Sequence, residues 1–196
     1  MKDLSFLLQH QSIPAIELND PAPSDSELEQ ILQAAMSAPD HGGLKPFRFL
    51  TIRGDARFEL STLFEQAVKK RNPQADAITV AKQRNKPLRS PLIVVVIASV
   101  RENPKVPDVE QILSAGCATQ HIQLACSSLG YGSIWLTGDN SYDLFIYEAL
   151  GLAPDERIIG FVYMGSYSGR SGPKVREPAL DITQNWTRPL RNKFAI

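Results

Sequence analysis

An α+β fold, a central sheet flanked by helices with one long buried central helix at a dimer interface, is predicted by three features of the sequence. Residues 92–98, LIVVVIA, are a continuous, mostly β-branched run of the kind carried by a strand covered on both faces. From Val109 to Leu129 small or apolar groups occupy most of a 3.6-residue cycle, so a helix there should be enclosed. Strand-like runs at 47–52, 132–136 and 158–164 alternate with helical periodicities, the pattern of a layered sheet.

Taken in order, residues 3–9 read as a short helix whose Leu4, Phe6, Leu7 and Leu8 dock on the body, followed by a polar loop that Pro14 closes. Ser24 with Glu27 forms a capping box for a helix with Leu28, Ile31, Leu32 and Ala35 inward. Pro39 stops it, leaving Asp40-His41-Gly42-Gly43 as a loop before the first strand. Arg57–Lys70 is amphipathic, with Leu60, Leu63, Phe64 and Ala67 inward, and residues 71–89 are a charged surface excursion with a short helix. The basic cluster at 82–89 reads as a solvated face.

The central helix follows the loop 101–108. Its Ser114, Gly116, Ala118 and Ala125 permit close approach of another helix, which in a short chain suggests a second subunit. Leu129-Gly130 ends the helix, since glycine tolerates the left-handed conformation found at helix C-termini, and the chain re-enters as a strand. Tyr142–Leu150 is a last helix closed by Gly151, and Ile158–Met164 is a buried strand. All 196 residues form one domain, with residues 166–196 a proline-rich basic tail suited to wrapping over something.

With 21 basic and 21 acidic residues the net charge is zero, so there is no electrostatic case for nucleic acid or a membrane surface as partner. Cys117 and Cys126 lie nine apart on one helix, too far round to pair, which fits buried thiols in a reducing cytoplasm. No apolar run approaches the roughly 20 residues of a membrane span.

Gly-x-Gly-x-x-Gly after a strand, Gly-x-x-x-x-Gly-Lys and Gly-x-Ser-x-Gly are all missing, and His10, His41 and His121 are too scattered for zinc. If the chain is an enzyme, the expectation is that a cofactor brings its chemistry. Polar loops remain at element ends: His10-Gln11-Ser12, Ser37 to His41, Trp135-Leu136-Thr137-Gly138, and Lys174 with Arg176. Cations and hydroxyls at one end with backbone amides and an aromatic wall at the other suit a flat ligand with an anionic tail, the shape of flavin mononucleotide.

The motifs go further. AAMSAPDHGGLKPFRF at 34–49, RSPLIVVV at 89–96, KVPDVEQILSAGCATQHIQLACSSLGYGSIWLTG at 105–138 and IIGFVYMGS at 158–166, with ELNDPAP at 17–23, resemble the FMN-dependent nitroreductases, and more closely their small one-domain bacterial NAD(P)H nitroreductase branch. That resemblance implies a homodimer with two FMN molecules at the subunit interface. By position it implies that His10, Gln11 and Ser12 hold the phosphate and ribityl chain, that Ser37 and His41 reach the cofactor from the second subunit, and that Trp135, Leu136 and Thr137 lie beside the flavin. It places the nicotinamide cofactor or substrate near Ala125, Cys126, Ser127, Ser128, Leu129 and Gly130.

The implied reaction is ping-pong: NAD(P)H delivers hydride to the flavin and leaves, and a nitroaromatic or quinone-type acceptor enters the same slot. No catalytic acid or base is assigned. The alternative is a non-enzymatic flavin carrier or sensor, because His10-Gln11 stands where the family has two arginines. Charge-assisted contacts are about twice as strong as neutral ones, so the phosphate clamp weakens unless Lys174 or Arg176 compensates. Phe47 stands where tryptophan is usual, keeping an apolar wall without its indole donor.

Overall fold

The computed structural model describes residues 4–168 and 174–186. Four strands form one antiparallel sheet in the order β1-β2-β4-β3, where β1 is Phe47–Arg53, β2 Leu92–Ser99, β3 Gly132–Leu136 and β4 Glu156–Gly165. β2 is central, and Leu92 through Ala98 are all inaccessible to solvent, as the β-branched run requires. Its pairing with β4 runs from Leu92 opposite Met164 to Ser99 opposite Glu156, with a register shift after Val96.

The pleat divides the interior into two layers. Leu92, Val94, Val96 and Ala98 face one cluster with α2 (Asp25–Ala35) and α5 (Asp108–Ser128), which supply Leu28, Ile31, Ala115, Ala118 and Ile122. Ile93, Val95 and Ile97 face the other, with α3 (Ala56–Arg71) and α6 (Leu144–Ala149) supplying Leu60, Phe64, Ala67 and Ile146. The short helix α1 (Ser5–Gln9) precedes these, and α4 (Ala77–Arg84) lies in the charged excursion.

The capping box is present. The Glu27 N–H donates to Ser24 Oγ at 3.4 Å and the Ser24 N–H donates to Glu27 Oε2 at 2.8 Å, a device worth about 1 kcal/mol. A buried fork ties three strands together: Arg48 on β1 donates from Nε and Nη2 to the two oxygens of Glu156 on β4, both at 2.6 Å, and Ser99 on β2 donates to Glu156 Oε1 at 2.9 Å.

Two sequence expectations are corrected. Leu4, Phe6, Leu7 and Leu8 do not dock, since α1 has no buried residue and Leu8 is 66% exposed. Nor is α5 enclosed within one chain: Gln111, Ser114, Thr119 and Gln123 turn inward, while Val109, Ile112 and Leu113 are exposed. Gln111 is held there by the fold, as its amide bonds the backbone of Arg101 and Val106, whereas Gln123 Nε2 is buried with no hydrogen-bond partner. Of the tail, residues 169–173 and 187–196 lie outside the described residues, and a short turn of helix occupies Ala179–Ile182.

Candidate functional site

Ile13 donates its backbone N–H to the Ser133 carbonyl at 2.9 Å, which lays the N-terminal loop along the start of β3. A cleft of about 170 Å³ lies at that end, lined among others by Phe6, His10, Gln11, Ser127 and Tyr131. His10 Nδ1 is 3.3 Å from Ser127 Oγ. Burial, aided by the neighbouring Arg176 charge, lowers the His10 pKa below its ordinary value, so the imidazole is neutral at pH 7 and offers hydrogen bonds rather than a cation. The His10, Gln11 and Ser127 positions are thus gathered in one place.

Arg176 reaches the same loop from the tail. Its guanidinium donates to the Leu8 carbonyl at 2.7 Å and to the His10 carbonyl. It is the only tail cation seen against this loop among the described residues; the structure shows Lys174 touching it only through its own carbonyl, 3.5 Å from Arg176.

At the far end of β3 a second cleft, of about 240 Å³, opens beside Leu136 and Thr137. Its apolar walls are Phe64 and Phe161, and its polar groups are Lys86, Arg89, Asn140 and Tyr163. Burial pulls the Lys86 ammonium below its usual pKa, Asp139 opposes that shift, and Arg89, Lys82 and Arg71 add to it. Burial also pushes the Tyr163 hydroxyl up, with Arg89 opposing, so it stays protonated and able to donate. The Asn140 Nδ2 is buried with no hydrogen-bond partner.

The solvated-face reading of residues 82–89 is therefore corrected for Lys86 and Arg89. The order β1-β2-β4-β3 brings the segment preceding β2 to the exit of β3, a neighbourhood that no local spacing announces.

Trp135 points away from this cleft. Its indole lies over Gly160 and donates from Nε1 to the Ile159 carbonyl at 3.1 Å, so the half-buried side chain packs against the core on the opposite face of the sheet. In the segment 125–130, Cys126 is corrected as a ligand contact: its side chain is fully buried against the Gly132 carbonyl, and burial pushes its thiol up to about 12. Ser128, Leu129 and Gly130 are exposed, and Ala125 and Ser127 are half-buried.

Ser37 and His41 are elsewhere in the chain. Ser37 Oγ sits 3.2 Å from His121 Nδ1, and His41 Nδ1 sits 2.6 Å from Glu110 Oε2. Glu110 and Ser127 are 17 residues apart on α5, a rise of roughly 25 Å. One chain cannot bring His41 and His10 to the same small ligand.

The donor set tests what could be held. Two cations, a buried amide donor and a protonated phenol face an apolar slot, which suits a flat ring rich in acceptor atoms and able to carry negative charge. A flavin ring has those properties. Among the described residues, no group of His, Cys, Asp and Glu could hold a metal ion, and no helix is long and apolar enough to cross a membrane.

The family model described as Nitroreductase family matches residues 17–166. The chain is 37% identical over 178 residues to the Escherichia coli K12 protein named "Putative NAD(P)H nitroreductase YdjA", covering 91% of this chain and 95% of that one. Among solved structures, a nitroreductase-like family protein from Bacillus cereus superposes with a TM-score of 0.79 at 20% identity, over 96% of this chain and 98% of that one. An FMN-dependent nitroreductase from Clostridium difficile R20291 superposes with a TM-score of 0.63 at 22% identity, over 98% and 100% of the two chains.

Proposed function

This chain belongs to the nitroreductase family, and from that premise we propose that it is an FMN-dependent oxidoreductase that reduces nitroaromatic or quinone-type acceptors with NAD(P)H, working by ping-pong as a cytoplasmic homodimer. The observation that carries the proposal is the donor-lined cleft at the exit of β3, where Lys86, Arg89, Asn140 and Tyr163 surround an apolar slot beside Leu136 and Thr137. FMN, when bound, supplies the hydride chemistry. Lys86 and Arg89 favour a ring carrying negative charge, and Leu136 and Phe161 keep water from its faces.

At the opposite end of β3, His10, Gln11 and Ser12 would take the ribityl chain and phosphate by hydrogen bonds. Arg176, already seated on the carbonyls of Leu8 and His10, adds the permanent positive charge that the loop lacks. A guanidinium has five N–H donors, so these contacts leave others for a phosphate. Lys174 is the second candidate cation.

The homodimer is supported by what one chain leaves uncovered. Val109, Ile112 and Leu113 on α5 and the apolar side of α1 face outward, and burying each large apolar side chain is worth about 1.5–3 kcal/mol. A second copy packed with its α5 reversed brings its Ser37 and His41 toward the first copy's N-terminal loop. The exposed turn Ser128-Leu129-Gly130 is the candidate contact for NAD(P)H, at the same end of β3 as the N-terminal loop.

A second reading is favoured by one specific observation, the neutral His10 and Gln11 in place of paired cations: a flavin carrier or sensor with a weakened phosphate clamp. The absorbance spectrum of the purified protein, before and after anaerobic NADH or NADPH, decides among the readings. Yellow protein bleached by either reductant and recoloured by a nitro or quinone acceptor is the expected result. Yellow protein that neither reductant bleaches makes it a carrier, and colourless protein that takes up no added FMN overturns both.

A further inference from the structure

Asn140 is 4% exposed, lines the cleft at the exit of β3, and keeps an amide nitrogen with no acceptor. Its orientation is not free. Arg71, at the C-terminal end of α3, donates from Nη2 to Asn140 Oδ1 at 2.9 Å, and a guanidinium can only donate, so the oxygen must face Arg71. Nδ2 is the end left over.

Arg71 is itself fixed. It pairs through Nη1 with Asp143, whose other oxygen accepts from the backbone N–H groups of Phe145 and Ile146 and so caps α6. The chain of contacts runs from the start of α6 through Asp143 and Arg71 to Asn140, and ends at the cleft. An unsatisfied buried donor is costly, and a fold that clamps one in a single orientation next to a cavity makes sense when a ligand supplies the acceptor. The neighbouring groups are donors as well: the Tyr163 hydroxyl, the Lys86 ammonium and the Arg89 guanidinium.

We infer that Asn140, aimed by Arg71 and Asp143, is a ligand-reading residue that donates to the oxygen-bearing edge of the flavin ring and favours its reduced, negatively charged form. This rests on the flavin reading above. Asn140 touches the ring; Arg71 and Asp143 are positioning residues that act through it. A hydrogen bond to a charged acceptor is stronger than one to a neutral acceptor, so the donor stabilises the reduced ring more than the oxidised one.

The test is the two-electron midpoint potential of bound FMN, with its dissociation constant, in wild type and in Asn140→Asp. The substitution is isosteric and keeps an oxygen for Arg71, but it replaces the donor with a negative charge. It should cost the reduced form at least tenfold in affinity relative to the oxidised form, which lowers the potential by about 30 mV or more. Asn140→Ala, which removes the donor without adding charge, should lower it by less than Asn140→Asp. Arg71→Lys, which keeps the charge beside Asp143 but loses the planar fork, should shift the potential in the same direction while leaving Asn140 in place. An unchanged potential in both Asn140 variants, with FMN still bound, overturns the assignment and leaves the flavin reading intact. Wild-type protein that takes up no FMN overturns both.

Discussion

Replacing Gly160 by alanine should damage the molecule far more than a single methyl suggests. A Cβ at Gly160 would lie 2.1 Å from Trp135 Nε1, 2.5 Å from Trp135 Cδ1 and 2.9 Å from the Leu136 carbonyl oxygen. The indole must leave its seat, which breaks its hydrogen bond to Ile159, and the backbone at Leu136 must shift as well. Overpacking of this kind costs about 1–3 kcal/mol, and the lost hydrogen bond adds about 1 kcal/mol. A loss of about 2–4 kcal/mol corresponds to a fall of roughly 5–15 °C in Tm for a chain of this size.

Urea unfolding followed by far-ultraviolet circular dichroism measures this loss directly. Because Leu136 and Thr137 sit at the displaced end of β3 and line the cleft, FMN affinity should fall several-fold in the same variant. Adding Trp135→Leu to Gly160→Ala should restore part of the stability, leaving only the contact with the Leu136 carbonyl. A Gly160→Ala protein within about 0.5 kcal/mol of wild type, the range of an ordinary surface change, would refute the packing argument. A double variant with no recovery would refute the role of the indole.

Two further outcomes follow from the fold. The hydrogen bonds from Arg48, with help from the Ala153 N–H and Ser99, hold the Glu156 carboxyl down to about 2 against the opposing effect of burial. Since the folded value lies below the unfolded one, the stabilisation is full above the ordinary carboxylate range and is lost as pH falls toward about 2. The unfolding free energy from urea titrations should therefore fall by about 2 kcal/mol more between about pH 5 and pH 3 in wild type than in Glu156→Gln, and parallel curves would refute the linkage. Leu113→Glu, on the exposed side of α5, should halve the mass seen by analytical ultracentrifugation and lower FMN affinity at least tenfold. Unchanged mass would refute the proposed dimer face.

The sequence disclosed features whose cause is local. Ser24 and Glu27 are three apart and make their reciprocal cap regardless of what surrounds them, and the 92–98 run can only be a strand with both faces covered. Long-range placement was harder to read. Leu4, Phe6, Leu7 and Leu8 look like core residues because apolarity is the same whether a side chain meets its own fold or another molecule. The inward turn of Gln111 reverses the usual polarity of a helix, and it depends on the backbone of Arg101 and Val106 in the loop just before α5.

The candidate site divides in the same way. His10, Gln11 and Ser127 meet in one cleft, although the sequence assigns the first two to the phosphate and ribityl chain and Ser127 to the nicotinamide or substrate, and Leu136 and Thr137 lie on a second cleft. Lys86, Arg89 and Asn140 were missed because the first two belong to a basic stretch some 50 positions before β3, joined to it only by strand order. The basic cluster immediately before a fully buried strand was the available signal, since the end of such a strand seldom lies far from the rim of the sheet.

The sheet separates two apolar interiors, one on each of its faces. On one side lie α2 and α5, with the uncovered face of α5; on the other lie α3 and α6, with Phe64 of α3 in the wall of the donor-lined cleft. Selection can therefore retune what the cleft accepts by altering residues such as Phe64 and Lys86 without disturbing how α2 and α5 pack against the opposite face of the sheet. A protein partitioned like this can acquire new chemical preferences one layer at a time, and the same separation tells an engineer which half to diversify in a library and which half to leave alone.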